Sequence, residues 1–222
     1  VRPRFFQKRS AKLAVVTAAP LASVRSWPFP ARLFVLLAGL FLYGFAIRLQ
    51  IDASVGLAPW DIFHQGLSRK TGLTFGTVSV LVGVLLVGVA WFWLGMKPGV
   101  GSVLNMLLIG FFIDLLAGHV PTPNLLWLQW AQFAFGVVLL GLATGTYVAA
   151  SMGAGPRDST VLGLSSKYSV PVGRVRTAIE AIVLLSGWAL GGHLGLGTLA
   201  FALGIGPAMS FGLKLYGLER RK

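Results

Sequence analysis

The chain predicts an all-α polytopic transmembrane helix bundle. Six spans are expected as two inverted three-helix repeats, each with a short half-helix after its first span. Three observations predict this. Hydrophobic residues fill 55% of 222 positions and charged ones only 11%, with a mean hydropathy of +0.79. Soluble domains carry about 25% charged residues, so this chain lacks the polar surface to face water on every side. Second, Gly56-Leu57-Ala58-Pro59-Trp60-Asp61 recurs as Gly153-Ala154-Gly155-Pro156-Arg157-Asp158, 97 residues on. Third, six apolar runs are each long enough to span, since about 20 residues of helix cross the ~30 Å of hydrocarbon in a bilayer.

Residues 1–30 form a basic tail, with Arg2, Arg4, Lys8, Arg9, Lys12 and Arg25 among prolines. Its apolar stretch from Leu13 to Ala22 is too short to span and is broken by Pro20. A mobile cytoplasmic tail is preferred over a cleaved signal peptide, which the small residues around Pro20 resemble. The first repeat is placed at 31–120 and the second at 121–216, with a basic tail at 217–222. The apolar runs are Leu33 to Ile51, Phe75 to Gly95, Gly99 to Gly118, Leu125 to Met152, Val172 to Gly191 and Leu194 to Leu215.

The repeat extends well beyond the opening motif. Gly66-Leu67-Ser68 matches Gly163-Leu164-Ser165, and Gly76 matches Gly173 at the same spacing. One residue is then lost, and Gly99-Val100-Gly101-Ser102 matches Gly195-Leu196-Gly197-Thr198. Pro59 to Lys70 is too short to cross a membrane, at ~1.5 Å per helical residue. Proline suits a first helical turn and an acidic residue suits the positive end of the helix dipole. Each motif therefore starts a half-helix at, or dipping into, the membrane.

Basic residues set the orientation. With the N-terminus inside and six spans, all of the 19 Lys and Arg residues fall on the cytoplasmic side except Arg48, Arg69 and Lys70. The positive-inside rule then places both termini in the cytoplasm. Three spans per repeat is an odd number, so the second repeat inserts upside down. Inverted repeats with short helices meeting near the midplane are a recurring plan of secondary transporters.

Two readings compete for Asp61 and Asp158: polar groups of a central site binding a proton, cation or amine, or caps for their own half-helices. Trp60 and Arg157 hold equivalent positions and would suit an aromatic, anionic or zwitterionic solute. Pro59, Pro156 and His64 complete the candidate substrate site. Arg48 and Asp114, both near the outer ends of their spans, form an expected ion pair. Arg176 and Glu180, at helical i, i+4 spacing, are either a structural pair or an intramembrane proton site.

Several chemistries lack their residues. There is no cysteine, and no His pair at metal-ligand spacing, so no metal is expected. Gly99-x-Gly101 and Gly195-x-Gly197 lack the rest of a nucleotide loop and read as turns. No cofactor motif and no nucleophile–base constellation occurs, so no catalytic residue is assigned and an enzyme is not expected. The net charge of +13 reports orientation rather than nucleic-acid binding.

The segments Tyr43-Gly44, Gly56 to Asp61, His64-Gln65-Gly66-Leu67-Ser68, Thr71-Gly72 and Phe75-Gly76-Thr77-Val78 resemble the YczE/YyaS/YitT family of bacterial multi-pass membrane proteins. Pro98 to Ser102, Asn105, Ile109-Gly110 and Asp114 extend the likeness, which runs from about 35 to 215 and is nearest the YczE-like branch. The resemblance implies a membrane protein suspected of transport by its architecture, and carries over no substrate or catalytic residue. The expectation is a permease for a small solute embedded in the lipid bilayer. The alternatives are a membrane scaffold or regulator that presents its basic tails to lipid or protein, or the substrate-binding subunit of a larger transporter. A second copy or a partner subunit stays open as a partner.

Overall fold

The computed structural model describes residues 24–153 and 155–218. Most of the basic tail at 1–30, with its signal-like stretch, lies outside the described residues, as do Ala154 and the C-terminal tail beyond Leu218. All regular structure among the described residues is helical. The helices are α1 (Phe29–Ala53), α2 (Pro59–Thr71), α3 (Phe75–Gly88), α4 (Val100–Leu115), α5 (Leu126–Ala149), α6 (Pro156–Tyr168), α7 (Val172–Ala189) and α8 (Leu196–Leu215). A π-helical turn, Val89–Trp93, extends α3.

Local chemistry sets these boundaries. Pro59 and Pro156 open α2 and α6, where a missing N–H costs nothing. Gly72, at φ 74°, ends α2. Thr74 caps α3 by accepting a hydrogen bond from the Thr77 amide. The side chains of Ser102 and Thr198 accept from the Gly99 and Gly195 amides at the starts of α4 and α8.

Among the described residues, four helices are long and apolar enough to cross a membrane: α1, α3 with its extension, α5 and α8. The other two expected spans fall short of that measure for different reasons. α4 has 16 residues, about 24 Å of helix, and α7 carries Arg174, Arg176 and Glu180 within 18 residues.

The second four helices begin 96 or 97 residues after the first four, as Phe29/Leu126, Pro59/Pro156, Phe75/Val172 and Val100/Leu196 show. The backbone repeats as closely. Ser54 and Ser151 adopt φ 56° and 51°, and Gly56 and Gly153 adopt φ 141° and 137°. Each of these loops docks on the last helix of the other set. The Gly197 amide donates to the Val55 carbonyl, and the Gly101 amide to the Met152 carbonyl, both at 2.8 Å.

Counterpart helices do not pack alike. α1 and α5 form the central pair, around Leu36, Leu40, Ile47, Phe133 and Leu140. α3 lies tightly along α4, whereas α7 and α8 scarcely touch. The repeated glycines register this difference. A Cβ on Gly110 would sit 2.5 Å from the Gly76 carbonyl oxygen, while Cβ atoms on the counterparts Gly173 and Gly206 would meet nothing within 4 Å.

Arg48 and Asp114 do not pair. Arg48 forms a two-pronged ion pair with Asp52 one turn on. Asp114 instead accepts from the Gly76 and Thr77 amides at 2.8 and 3.2 Å and from the Thr74 hydroxyl. The positive N-terminus of α3 and its free N–H groups outcompete a distant guanidinium. Asp114 thereby fastens α4 to α3.

Candidate functional site

The two half-helices bring the repeated motif together at their N-termini. The Arg157 guanidinium lies over the Trp60 ring, 4.9 Å from its centroid, and 3.8 Å from the Asp61 carboxylate. Trp60 and Arg157 occupy the same repeat position, and such positions meet when two copies of a unit face each other across a local axis. Neither Asp61 nor Asp158 hydrogen-bonds its own helix, and no side chain caps α2 or α6. The capping reading therefore does not describe these carboxylates.

Asp61 is only 2% exposed, and its Oδ1 has no hydrogen-bond partner among the described residues. His64 Nδ1 stands 3.9 Å away. Both ring nitrogens of His64 lack a partner among the described residues, although His64 is 1% exposed. Its ring is edge-on to Phe75, with centroids 5.7 Å apart. Burial lifts the Asp61 carboxyl from its ordinary 3.8 to about 6, against the lowering pull of Arg157. Burial holds the His64 imidazole well below its usual range, and the Arg157 charge adds to this. Asp61 therefore prefers to hold a proton more than an exposed aspartate does, and His64 is neutral.

Asp158 faces the other way. It lies 3.6 Å from Arg176, which also donates to Glu180 at 3.1 Å. This chain of charges is half-exposed and links α6 to α7. The candidates Pro59, Trp60, Asp61, His64, Pro156, Arg157, Asp158, Arg176 and Glu180 thus cluster in one region. Arg48 and Asp114 lie in separate ion-pair and helix-end contacts.

Two cavities flank the cluster. The larger, about 420 Å³, lies between α7 and α8 and reaches Pro59 and Trp60. The smaller, about 60 Å³, lies between α3 and α4 and reaches His64 and Asn105. Their walls correspond by the repeat. Val82, Met106 and Ile109 on the small side match Ile179, Ala202 and Ile205 on the large side, and His64 matches Val161. Tyr43, Tyr147, Arg157 and Asp158 line both.

The two tyrosines were not among the sequence candidates. Their rings meet edge to face at 6.0 Å. They have no common repeat position, so the spacing of 97 does not mark them. The available signal was a phenol on an otherwise apolar span.

Among the described residues, eight helices, four of them long and apolar enough to cross a bilayer, around a charged centre define an all-helical membrane protein. The chain belongs to the family described as a family of unknown function (DUF6198), whose model matches residues 30–214. It is 38% identical over 177 residues to the uncharacterized membrane protein YczE of Bacillus subtilis, covering 79% of this chain and 82% of that protein. An uncharacterized protein of Haemophilus influenzae is 29% identical over 205 residues, covering 92% of this chain and 94% of its own length. The uncharacterized protein YyaS of Bacillus subtilis is 29% identical over 164 residues, covering 72% and 82%. The YczE-like resemblance read from the sequence is therefore shown. No solved structure matches the chain.

Proposed function

We propose that the protein is a permease for a small solute, working by alternating access between two inverted repeats in a bacterial inner membrane. The observation that carries this reading is the inequality of two equivalent cavities that share Arg157 and Asp158. A repeat that holds one copy closed and the other open contains the plan of a second conformer, in which the roles exchange. Gly173 and Gly206 support this. Their counterparts permit close backbone approach between α3 and α4, yet they themselves face open space.

The positive-inside rule puts both termini in the cytoplasm. α7 then starts, and α8 ends, on the inner side, so the larger cavity is the inward-facing one. Asp114 closes the outer side by tying α4 to the N-terminus of α3. In this reading α4 and α7 complete six membrane segments. α4 is short because it is sealed against α3, and the charges of α7 face the cavity rather than lipid. No enzymatic step, nucleic-acid partner or cofactor enters the reading.

A reversible lock tests it. An ideal Cβ on Gly83 lies 3.5 Å from Met106 Cβ, near the ~3.8 Å separation of a disulfide. The chain has no cysteine to interfere. Gly83→Cys/Met106→Cys should therefore cross-link α3 to α4. In proteoliposomes challenged with small carboxylates, amino acids and polyols, oxidation should stop uptake of the transported solute and reduction should restore it. Folded protein that takes up none of the panel would favour a scaffold, and uptake indifferent to the disulfide would overturn alternating access through α3 and α4.

A further inference from the structure

We infer that the shared Arg157 site takes a small organic carboxylate, and that Asp61 takes up one proton when the carboxylate binds. This rests on reading the larger cavity as a solute site, but not on transport.

The argument starts from unused hydrogen-bonding capacity. A guanidinium presents five N–H donors in a planar fork suited to a carboxylate. Arg176 already pairs with two carboxylates, donating one hydrogen bond to Glu180 and lying 3.6 Å from Asp158. Arg157 makes no hydrogen bond among the described residues. Its approach to Asp61 is 3.8 Å, beyond hydrogen-bonding distance, and its other contact is the Trp60 face. Its donors therefore look into cavities that it lines. Tyr147, 7% exposed, lines the same cavities, and its hydroxyl has no hydrogen-bond partner among the described residues. The N-termini of α2 and α6 add positive potential from their first turns.

The walls decide which anion. Leu140, Val161, Ile179, Phe201, Ile205 and Met209 surround the larger cavity. Those apolar surfaces suit a hydrocarbon body and offer nothing to a fully hydrated phosphate or sulfate. A volume of about 420 Å³ lies within the ~300–1,000 Å³ of small-molecule sites. One free guanidinium matches one negative charge.

A second carboxylate on Arg157 would face Asp61 at close range, and two like charges sharing one buried cation disfavour double ionisation. Asp61 then accepts a proton from solvent at Oδ1, the atom that lies 3.9 Å from Nδ1 of neutral His64. The net charge of the site is unchanged, since one anion and one proton enter together. The other groups facing the site are the Tyr43 and Tyr147 phenols and Asp158, which is balanced by Arg176 beside Glu180. On α3 the residues at this cavity, Ser79, Val82, Gly83 and Leu86, carry no titratable group, so Asp61 is the group free to change.

Isothermal titration calorimetry of the full chain in detergent tests this, with propionate, hexanoate and benzoate, their amides, and inorganic phosphate. At least one carboxylate should bind at least ~10-fold tighter than its amide, because the amide lacks the charge-assisted pair. Runs in buffers of different ionisation enthalpy should show close to one proton taken up at pH 7.5. Affinity should fall by up to ~10-fold per pH unit between pH 6.5 and 8. Asp61→Asn should still bind the carboxylate, with no proton uptake and a flat pH profile. Arg157→Lys keeps the charge but loses the planar fork, and should bind at least ~10-fold more weakly.

Amides binding as well as acids, phosphate competing for the site, or Arg157→Lys binding like the parent would each overturn the carboxylate assignment. Proton uptake that persists in Asp61→Asn would overturn the proton assignment. If no carboxylate binds while the disulfide lock still governs uptake of another solute, this inference fails and the permease reading stands. The amide and Asp61→Asn comparisons need no Arg157 variant, so poor folding of Arg157→Lys leaves the test intact.

Discussion

A methyl group at Gly76 and one at Gly173 should push the protein in opposite directions. At Gly76 the added Cβ would stand 2.5 Å from the Asp114 carboxyl carbon and closer still to the Gly110 carbonyl oxygen. Normal contact distances require α3 and α4 to move apart. Overpacking of this kind costs about 1–3 kcal/mol, and every ~1.4 kcal/mol is tenfold in an equilibrium. Gly76→Ala should therefore lower the population of the present conformer, relative to one with α3 and α4 parted, by roughly 5- to 150-fold.

Gly173→Ala meets nothing within 4 Å and costs the present conformer no contact. In the exchanged conformer it would press on Gly206, so the penalty moves to the other state. Ser210, smaller than its counterpart Asp114, should make that penalty the lesser of the two. The preference of a helix for Ala over Gly, about 1 kcal/mol, acts on both conformers and cancels. The readout is the rate of maleimide labelling at a single cysteine replacing Ala202 on the larger cavity or Met106 on the smaller one. Gly76→Ala should slow labelling at 202 and speed it at 106, and Gly173→Ala should do the reverse. Rates that move together at both sites, or that ignore Gly173→Ala, would refute the reasoning.

Three further outcomes follow from the charges. Asp61, raised from 3.8 to about 6 by burial, favours the fold most fully when protonated, so its contribution is lost as pH rises through 6. Asp61→Asn should be up to ~3 kcal/mol more stable than the parent at pH 8 and equal to it below about pH 3; a gap independent of pH in thermal unfolding contradicts this. Asp114→Asn weakens the charge-assisted bonds to the start of α3, worth about 1.5–3 kcal/mol together. Combined with Met106→Cys, it should speed maleimide labelling at position 106, and an unchanged rate would show that Asp114 does not hold the seal. Arg48→Gln leaves Asp52 buried without its partner and should cost about 3–5 kcal/mol. Arg48→Gln/Asp52→Asn should recover most of that loss in a thermal melt, and a double variant as unstable as the single one would remove the ion-pair explanation.

The half-helices were legible in the sequence because proline, glycine and a spacing of 97 each act locally: the prolines open α2 and α6, and Gly72 closes the first. The meeting of Trp60 with Arg157 was implicit in their shared repeat position. The partners of the charged residues were not legible. Arg48 found Asp52 one turn away rather than Asp114, because a helix places i, i+4 residues together whatever the long-range topology. Asp114 found free N–H groups at the start of α3, which depend on how two helices approach. The inequality of the two cavities could not be read at all. The glycines at 76 and 173, and at 110 and 206, are the same residue in both copies, and only tertiary packing closes one pair and leaves the other open.

If the two repeats exchange roles, distances across both helix pairs in lipid nanodiscs should show it. Paired spin labels on α3 and α4, and separately on equivalent positions of α7 and α8, should each give two populations. Locking Gly83→Cys/Met106→Cys should abolish the shorter α7–α8 population and leave only the longer. One fixed distance across each pair, unmoved by the lock or by Gly76→Ala, would contradict the account.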